Sequence, residues 1–595
     1  MTIPELLARR PALLWGACAL VAGLSLAAEL ARLPTADMGL FLYDAGRVLD
    51  GARLYRDVVE INPPLIVALN LPVVYLARVT HVSEFLLYRL AVAGLIGGVL
   101  VCSARLIHRY VVPDEPGRAR YLILLVCFAL FALARPDFGQ REHFVLALLL
   151  PYVLLVAADR RGRRPGALVA VAVGVLAGGA IGLKPPFGLV WLAVEAFRRL
   201  RGPRSARWRP APEVAGVIGF LLVYAVVTLL VTPDYVRIVE VLGPAYTRYL
   251  RQPFLVLLVI GPGVPLVWFT LLARVGLRRQ ARDPELGALL ATAMVASFLA
   301  AAAQEKEFRY HFYPALALAF VLLGLLSADA SGWAKASERI YGRASRALLV
   351  TIVFVVLGWA GFQAAGGGAP ERRERAALLD LVNAVRTRAG GRPVGVLSYT
   401  IDSSFPLANY AGVSLALRFP SLWPFAASYW DAIASGGPLR YRTPGDMEPY
   451  ERYFFRAVRD DLLAARPAVL VILRPARDAA MNGQRRLHYV QYFGQDSAFS
   501  AFLAEYRLVA QKGEYLLYQR GTGETRMGPA PSAEPAALNA RRPPQLSQLR
   551  LGQLDPESVV GAVVFAICWL LLALADRRRS APGSPADAGP LDRRG

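Results

Sequence analysis

A chain of 595 residues that is 55% hydrophobic, with a mean hydropathy of +0.40, is too apolar for an ordinary soluble protein and too long for a single membrane anchor. Its formal charge of +23 does not mark a nucleic-acid-binding protein: the arginines sit in short clusters between apolar runs, with no basic domain or aromatic-interleaved patch. The four cysteines, Cys18, Cys102, Cys127 and Cys568, all fall inside apolar runs, which excludes a disulfide framework and argues against a Cys-ligated metal.

Arg9 and Arg10 precede an apolar stretch, Leu13 to Leu30, that lacks a small-residue cleavage site, so the sequence predicts an uncleaved first helix. Apolar runs then recur at the length a helix needs to cross a hydrocarbon core of about 30 Å, and in lipid such runs must be helical to satisfy their backbone. They place helices at about 11–32, 84–107, 119–134, 143–158, 166–183 and 186–200. Further ones fall at about 212–231, 254–273, 286–303, 312–327, 347–365 and 558–575, twelve in all, with 64–80 as a candidate extra short span or interfacial segment.

Alternate loops differ in charge. One set carries Arg9/Arg10, Arg105/Arg109/Arg118/Arg120, Arg160/Arg161/Arg163/Arg164, the run Arg198 to Arg209, Arg274/Arg278/Arg279/Arg282, Lys335 to Arg346 and Arg577/Arg578/Arg579. The positive-inside rule puts these loops and both termini in the cytoplasm. The opposite loops, including 33–83, 135–143, the turn at Lys184, 232–253, 304–311 and 366–557, are then extracytoplasmic.

The chain divides on this reading into a transmembrane core with extracytoplasmic loops (1–365), a small extracytoplasmic α/β domain (366–523), a Pro/Ala/Ser/Arg-rich linker (524–557), a final transmembrane helix (558–576) and a disordered cytoplasmic tail (577–595). Within the α/β segment, Arg372–Thr387 reads as an amphipathic helix, and Val394–Tyr399 and Ala468–Leu473 as buried strands, the second entered from a helical Arg456–Ala465. Phe499–Tyr506 reads as helical, and Leu508–Ala510 and Tyr515–Tyr518 as a hairpin across Lys512-Gly513. The segment has Asp402, Asp431 and His488 but no His/Cys cluster, phosphate loop or nucleophile elbow, and reads as accessory.

The polar chemistry lies in the extracytoplasmic loops. Asp37 follows the first span directly, where a carboxylate can take a proton from an acceptor while a lipid substrate approaches from the bilayer. Asp44, seven residues on, shares its face if the segment is helical, and Asp50, Tyr55, Asp57 and Glu60 follow before the helix-interrupting Pro63-Pro64. In Arg135-Pro-Asp-Phe-Gly-Gln-Arg-Glu-His-Phe144, residues Arg141, Glu142 and His143 stand at a helix start, where burial is costly unless they are paired or bound. A helix N-terminus with Arg141 suits a phosphate; a salt-bridged cap is the structural alternative. Lys184 is a lone cation at a Pro-broken turn, where snorkelling is the alternative. Lys306, Arg309 and His311 are three basic groups in a short outside turn, which a phosphate headgroup would explain; pairing with Glu305 and Glu307 is the bland option.

An acid with several phosphate-binding cations in one compartment fits group transfer from a polyprenyl phosphate: a carboxylate deprotonates the acceptor hydroxyl, which attacks the anomeric carbon, while cations stabilise the departing phosphate. Here the chain resembles the GT-C glycosyltransferases, specifically the bacterial branch related to protein O-mannosyltransferases and lipid A aminoarabinose transferases. The resemblance rests on Asp37 soon after the first helix, Gly51/Tyr55/Asp57, Pro63-Pro64-Leu65 and Gly182-Leu-Lys-Pro. It implies a GT-C-like polytopic fold, a lipid-linked sugar donor and Asp37 as catalytic base, with Glu142 as a second catalytic acid and Asp137 its competitor. On this reading Arg141, Lys184, Lys306, Arg309 and His311 hold the donor phosphate, and Asp44, Tyr55, Asp137 and His143 touch substrate.

Asp-Met-Gly stands where the family has adjacent carboxylates, which argues against a metal held by such a pair. The sequence requires no cofactor, although a divalent cation is compatible with it. The expected partners are a lipid-linked donor, a lipid, glycan or protein acceptor and membrane lipids, with no nucleic acid. The expected location is the inner membrane, with the active site in the periplasm. A transporter or lipid flippase with an accessory ectodomain is the competing reading. Against it stand the lack of an internal repeat and the scarcity of mid-helix charges. A scaffold presenting 366–557 is a third, and it leaves the basic turns unexplained.

Overall fold

Leu-, Val- and Ala-rich runs with few breakers give the first half of the chain its helices. The computed structural model describes residues 3–202, 211–333, 369–475 and 486–521. It opens with α1 (Ile3–Arg9), α2 (Ala12–Ala31), α3 (Ala36–Leu49), α4 (Leu65–Thr80), α5 (Glu84–Leu106), α6 (Pro116–Phe131), α7 (Arg141–Asp159) and α8 (Ala167–Leu183). These are followed by α9 (Gly188–Arg201), α10 (Pro212–Val231), α11 (Asp234–Arg248), α12 (Phe254–Ile260), α13 (Val264–Gly276), α14 (Pro284–Ala302) and α15 (Arg309–Trp333).

Among the described residues, six helices are long and apolar enough to span a bilayer: α2, α5 with its continuation to Val111, α7, α10, α14 and the Arg309–Ala330 part of α15. The protein is a multi-pass membrane protein. The predicted spans at 347–365 and 558–575, the linker and the tail lie outside the described residues. The single straight helix expected over 254–273 is instead broken: α12 and α13 meet at 65°, because Gly261-Pro262-Gly263 interrupts the backbone ladder between them. Two further helices lie in segments between the spans. One is α3, capped by the Thr35 hydroxyl accepting from the Met38 amide at 3.3 Å; the other is α11.

Packing follows side-chain size and lipid contact. α7 is the central helix, with every residue from Arg141 to Ala158 buried, whereas α10 shows most of its surface outward, including Leu222, Val223, Leu230 and Val231. An outward apolar face is expected where the neighbour is lipid. α10 meets α8 closely where small residues allow it. A Cβ added to Gly174 would lie 2.0 Å from the Glu213 carbonyl oxygen, and one on Gly178 would lie 2.9 Å from the Phe220 Cβ.

The arginine-rich loops gather at one end of the bundle and are tied by ion pairs: Arg163–Asp114 (2.8 Å), Arg282–Glu115 (2.9 Å), Arg160–Glu285 (3.4 Å) and the buried Arg198–Glu213 (2.6 Å). Asp37, Arg141 and Lys184 lie at the other end, as the charge alternation predicts. α7 alone separates Arg141 from Asp159 by about 27 Å at 1.5 Å per residue.

Residues 369–521 supply a four-stranded sheet. Its order is β1 (Val394–Leu397), β2 (Val469–Leu473), β4 (Tyr515–Arg520), β3 (Tyr506–Lys512), with β1 parallel to β2 and the other pairings antiparallel. The parallel pair, β1 and β2, are continuous apolar runs, as strands covered on two faces require. α16 (Ala369–Ala389) precedes β1, α17 (Pro449–Ala465) leads into β2, and α18 (Ser497–Leu503) leads into β3. The strand, hairpin and helix expectations for this segment hold to within a few residues, except that the helix expected from Arg456 starts at Pro449 and that Tyr506 starts β3 instead of ending a helix.

This sheet unit rests on α3. Gly39 permits the contact, since a Cβ there would lie 2.9 Å from the Phe405 Cβ and 3.0 Å from the Asn409 side-chain oxygen. Asn409 donates to the Gly39 carbonyl (3.1 Å), the Leu415 amide donates to the Tyr43 hydroxyl (2.7 Å), and the Val59 amide donates to the Arg418 carbonyl (2.8 Å). The helix carrying Asp37 is therefore clamped between the bundle and the α/β unit.

Candidate functional site

Several chain segments converge at the bundle end opposite the arginine-rich loops. The first is the start of α3. Asp37 lies in its first turn, half-buried, hydrogen-bonded with Gln140 and within the fields of Arg141, Glu142 and Asp402. Burial raises its carboxyl above the ordinary Asp value; the Arg141 charge and the Gln140 hydrogen bond oppose that rise. Asp402, set aside with the α/β segment on sequence grounds, proves to be a like charge close to Asp37.

The second segment is the entry to α7. Its backbone turns at Gly139, whose φ of +79° lies in the left-handed region. The Tyr88 hydroxyl donates to the Gly139 carbonyl at 2.5 Å, and a Cβ on Gly139 would strike the Tyr88 ring at 2.7 Å. This turn delivers Gln140 and Arg141 to Asp37. The Arg141 guanidinium donates to the Asn62 side-chain oxygen, stands 5.7 Å from the Phe41 ring centre, and leaves its buried Nε with no hydrogen-bond partner.

Asn62 is itself fixed from both sides. Its amide NH₂ and backbone N–H donate to the Glu60 carboxylate at 2.7 and 3.1 Å, and its carbonyl accepts from the Tyr55 hydroxyl at 2.6 Å. Glu60 and Asn62 thus form a rigid support for the Arg141 side chain. Neither was singled out for this from sequence, where only the Pro63-Pro64 that follows was read, as a helix interruption. Tyr55, expected at substrate, works inside this support and is 1% exposed.

A further group joins Glu142 of this α7 entry to Lys184, from the turn after α8, and His311, from the start of α15. Glu142 is fully buried and ion-paired with Lys184; His311 Nε2 lies 3.4 Å from the same carboxylate oxygen. The Lys184 ammonium also stands 5.6 Å from the Tyr310 ring centre, and His311 packs edge-on against Tyr310 at 4.7 Å. Lys184 therefore answers Glu142 rather than standing as a lone cation, and Glu142 is placed as a buried counter-ion beneath Arg141. The charges of Asp37, Arg141, Glu142 and Glu60 all reach Tyr246 of α11, which closes this side of the cluster.

Other expected site residues have different work. Lys306 is 1% exposed and spends its ammonium on the carbonyls of Tyr246 (2.8 Å), Thr247 (3.4 Å) and Tyr249, capping the end of α11. That geometry gives its three protons partners within the chain in place of the phosphate expected from the sequence. Removing a buried cation that satisfies three helix-end carbonyls is expected to cost about 2–4 kcal/mol, a few charge-assisted hydrogen bonds less what water recovers. Lys306→Ala should lower the melting temperature of the purified protein while leaving lipid-phosphate affinity unchanged; a loss of affinity at intact stability would restore the phosphate role.

His143 is likewise occupied: one ring nitrogen lies 2.8 Å from the Leu130 carbonyl and the other accepts from the Gly139 amide at 3.2 Å. It holds the turn that aims Arg141 and has no ring nitrogen left for a substrate. Asp137 is buried within electrostatic reach of Tyr313, Arg309 is exposed at the start of α15, and Asp44 faces another cavity. Among the described residues, no group of three or more His, Cys, Asp or Glu side chains could hold a metal ion.

No protein-family model matches the sequence, and no curated protein sequence does. Solved structures do match. The crystal structure of ArnT from Cupriavidus metallidurans bound to undecaprenyl phosphate aligns over 85% of this chain and 97% of its own, at 16% identity and a TM-score of 0.50. The chain has the fold of ArnT. The polytopic helical bundle with a small C-terminal α/β unit expected from the sequence is thus the fold observed. The archaeal oligosaccharyltransferase AglB from Archaeoglobus fulgidus, in complex with an inhibitory peptide and a dolichol phosphate, aligns over 87% of this chain and 75% of its own, at 11% identity and a TM-score of 0.48. Within the ArnT-like frame, the polar cluster of Asp37, Gln140 and Arg141 sits where the helical bundle meets the α/β unit.

Proposed function

We propose that this protein is an integral membrane glycosyltransferase that moves a sugar from a polyprenyl-phosphate donor to an extracytoplasmic acceptor of the cell envelope, with inversion. The observation that carries the reading is the half-buried Asp37 carboxylate held by Gln140 beside a supported Arg141. Asp37 takes the proton of the acceptor hydroxyl as its oxygen attacks the anomeric carbon from the face opposite the phosphate. The anomeric C–O bond to phosphate breaks, and Arg141 stabilises the charge that collects on the leaving group. One displacement by one base inverts the anomeric centre. Glu142 and Lys184 are neutralising support here, not proton carriers, and the arginine-rich end faces the cytoplasm by the positive-inside rule. That ArnT was crystallised with undecaprenyl phosphate is consistent with a lipid-phosphate donor.

The test is direct. Protein reconstituted with radiolabelled polyprenyl-phosphate sugars should release or transfer sugar. Arg141→Ala should weaken lipid-phosphate binding by about 10–100-fold, the ~1.5–3 kcal/mol of a charge-assisted hydrogen bond. No turnover of any donor, or an unchanged lipid-phosphate affinity in Arg141→Ala, overturns the assignment; ion-coupled substrate uptake without turnover points to a transporter.

A further inference from the structure

A second polar cavity of about 450 Å³ lies between the far half of α3, the loop after it and the α/β unit. That volume falls in the ~300–1,000 Å³ range of small-molecule sites. Four arginines and three aspartates line it. Two pairs cancel: Arg53 with Asp57 at 3.2 Å, and Arg418 with Asp461 at 2.6 Å. Arg47 and Arg56 form no ion pair among the described residues, and the buried Nε of Arg47 has no hydrogen-bond partner. The third aspartate, Asp44, is fully buried with both carboxylate oxygens unbonded.

An unbonded, dehydrated carboxyl is expensive, and nothing among the described residues satisfies it. Its burial, with Glu60 nearby, raises it well above the ordinary Asp value against the pull of the Arg47 charge, and both of its oxygens are left for a ligand hydroxyl. The cavity then carries two guanidiniums outside ion-pair distance of any described carboxylate, Arg47 also hydrogen-bonded with Tyr43, and a hydroxyl-matching carboxyl. That set suits a molecule with hydroxyls at one end and a carboxylate or phosphate at the other.

We propose that this cavity binds an acidic saccharide, its anionic group between Arg47 and Arg56 and a hydroxyl on Asp44. Asp44 follows Asp37 by seven residues, about 10 Å along the helix, a sugar unit or two from the base. On the transferase reading, this is the acceptor side of the site, and that part of the assignment rests on that reading.

Titration calorimetry on the full-length protein in detergent, with glucuronate, glucose 6-phosphate, glucose and inorganic phosphate, tests it. At least one acidic sugar should bind at least tenfold more tightly than glucose, and Arg47→Gln and Arg56→Gln should each weaken that binding about tenfold. Arg56 is exposed, so its substitution reads recognition without disturbing the fold. Equal binding of glucose, inorganic phosphate as tight as the sugar phosphate, or no loss in either variant overturns the proposal. Donor hydrolysis measured without acceptor separates the two readings. Hydrolysis intact with no saccharide binding sinks the cavity alone; saccharide binding with no donor turnover sinks the transferase and leaves the cavity standing.

Discussion

Replacing Asp37 by Asn is expected to lower sugar transfer by about 10²–10⁴-fold, the usual contribution of a positioned general base. Lipid-phosphate affinity should change little. Asn keeps the shape and can still bond Gln140, so a fall in kcat without a matching rise in donor KM would separate lost proton transfer from lost structure. The pH profile gives an independent reading. Asp37 acts as a base only when ionised, and burial raises its carboxyl above the ordinary Asp value. The acid limb of kcat should therefore lie at higher pH than for a solvated aspartate. Arg141 and Gln140 both oppose that rise, so Arg141→Gln or Gln140→Ala should displace the limb further up in pH. A limb that stays in place in both variants, or transfer that persists in Asp37→Asn, removes Asp37 from the base role.

The parts of this arrangement that were legible in the sequence are those that depend on local pattern. Apolar runs placed the helices, Arg clusters identified one end of the bundle, and alternating or continuous apolar strings placed the strands around Val394, Val469 and Tyr515. The position of Asp37 after the first span and of Arg141 at a helix start followed from the same reading. Pairing between distant segments was not legible. A lysine in a short turn looks the same whether it meets phosphate or carbonyls, and only the fold brings Tyr246 to Tyr249 against Lys306. The support of Arg141 by Asn62 spans 79 residues of sequence, and no local signal announces it. The break at Gly261-Pro262-Gly263 could have been read, since that tripeptide rarely continues a helix; the apolar composition on both sides hid it.

Breaking the Glu142–Lys184 pair is expected to have the largest effect on stability, and it tests which job Glu142 does. Both side chains are buried, at 0% and 5% exposure, and removing one partner of such a pair leaves an uncompensated charge at a cost of about 3–5 kcal/mol. Lys184→Met and Glu142→Gln should each lower the thermal transition of the purified protein substantially. The double variant should recover much of the loss, because exchanging both partners for neutral groups removes the orphan charge. His311 sharpens the comparison: its Nε2 faces the same carboxylate oxygen, and its Nδ1 has no hydrogen-bond partner, so the neutral amide introduced by Glu142→Gln still offers it an acceptor. If Glu142 is a counter-ion that holds the floor beneath Arg141, the double variant should hydrolyse donor at a rate within about tenfold of wild type, since only electrostatic tuning of the site is lost. A stable double variant with activity as low as that of Asp37→Asn would make Glu142 a second proton-transfer group, and the mechanism would then need two carboxylates rather than one.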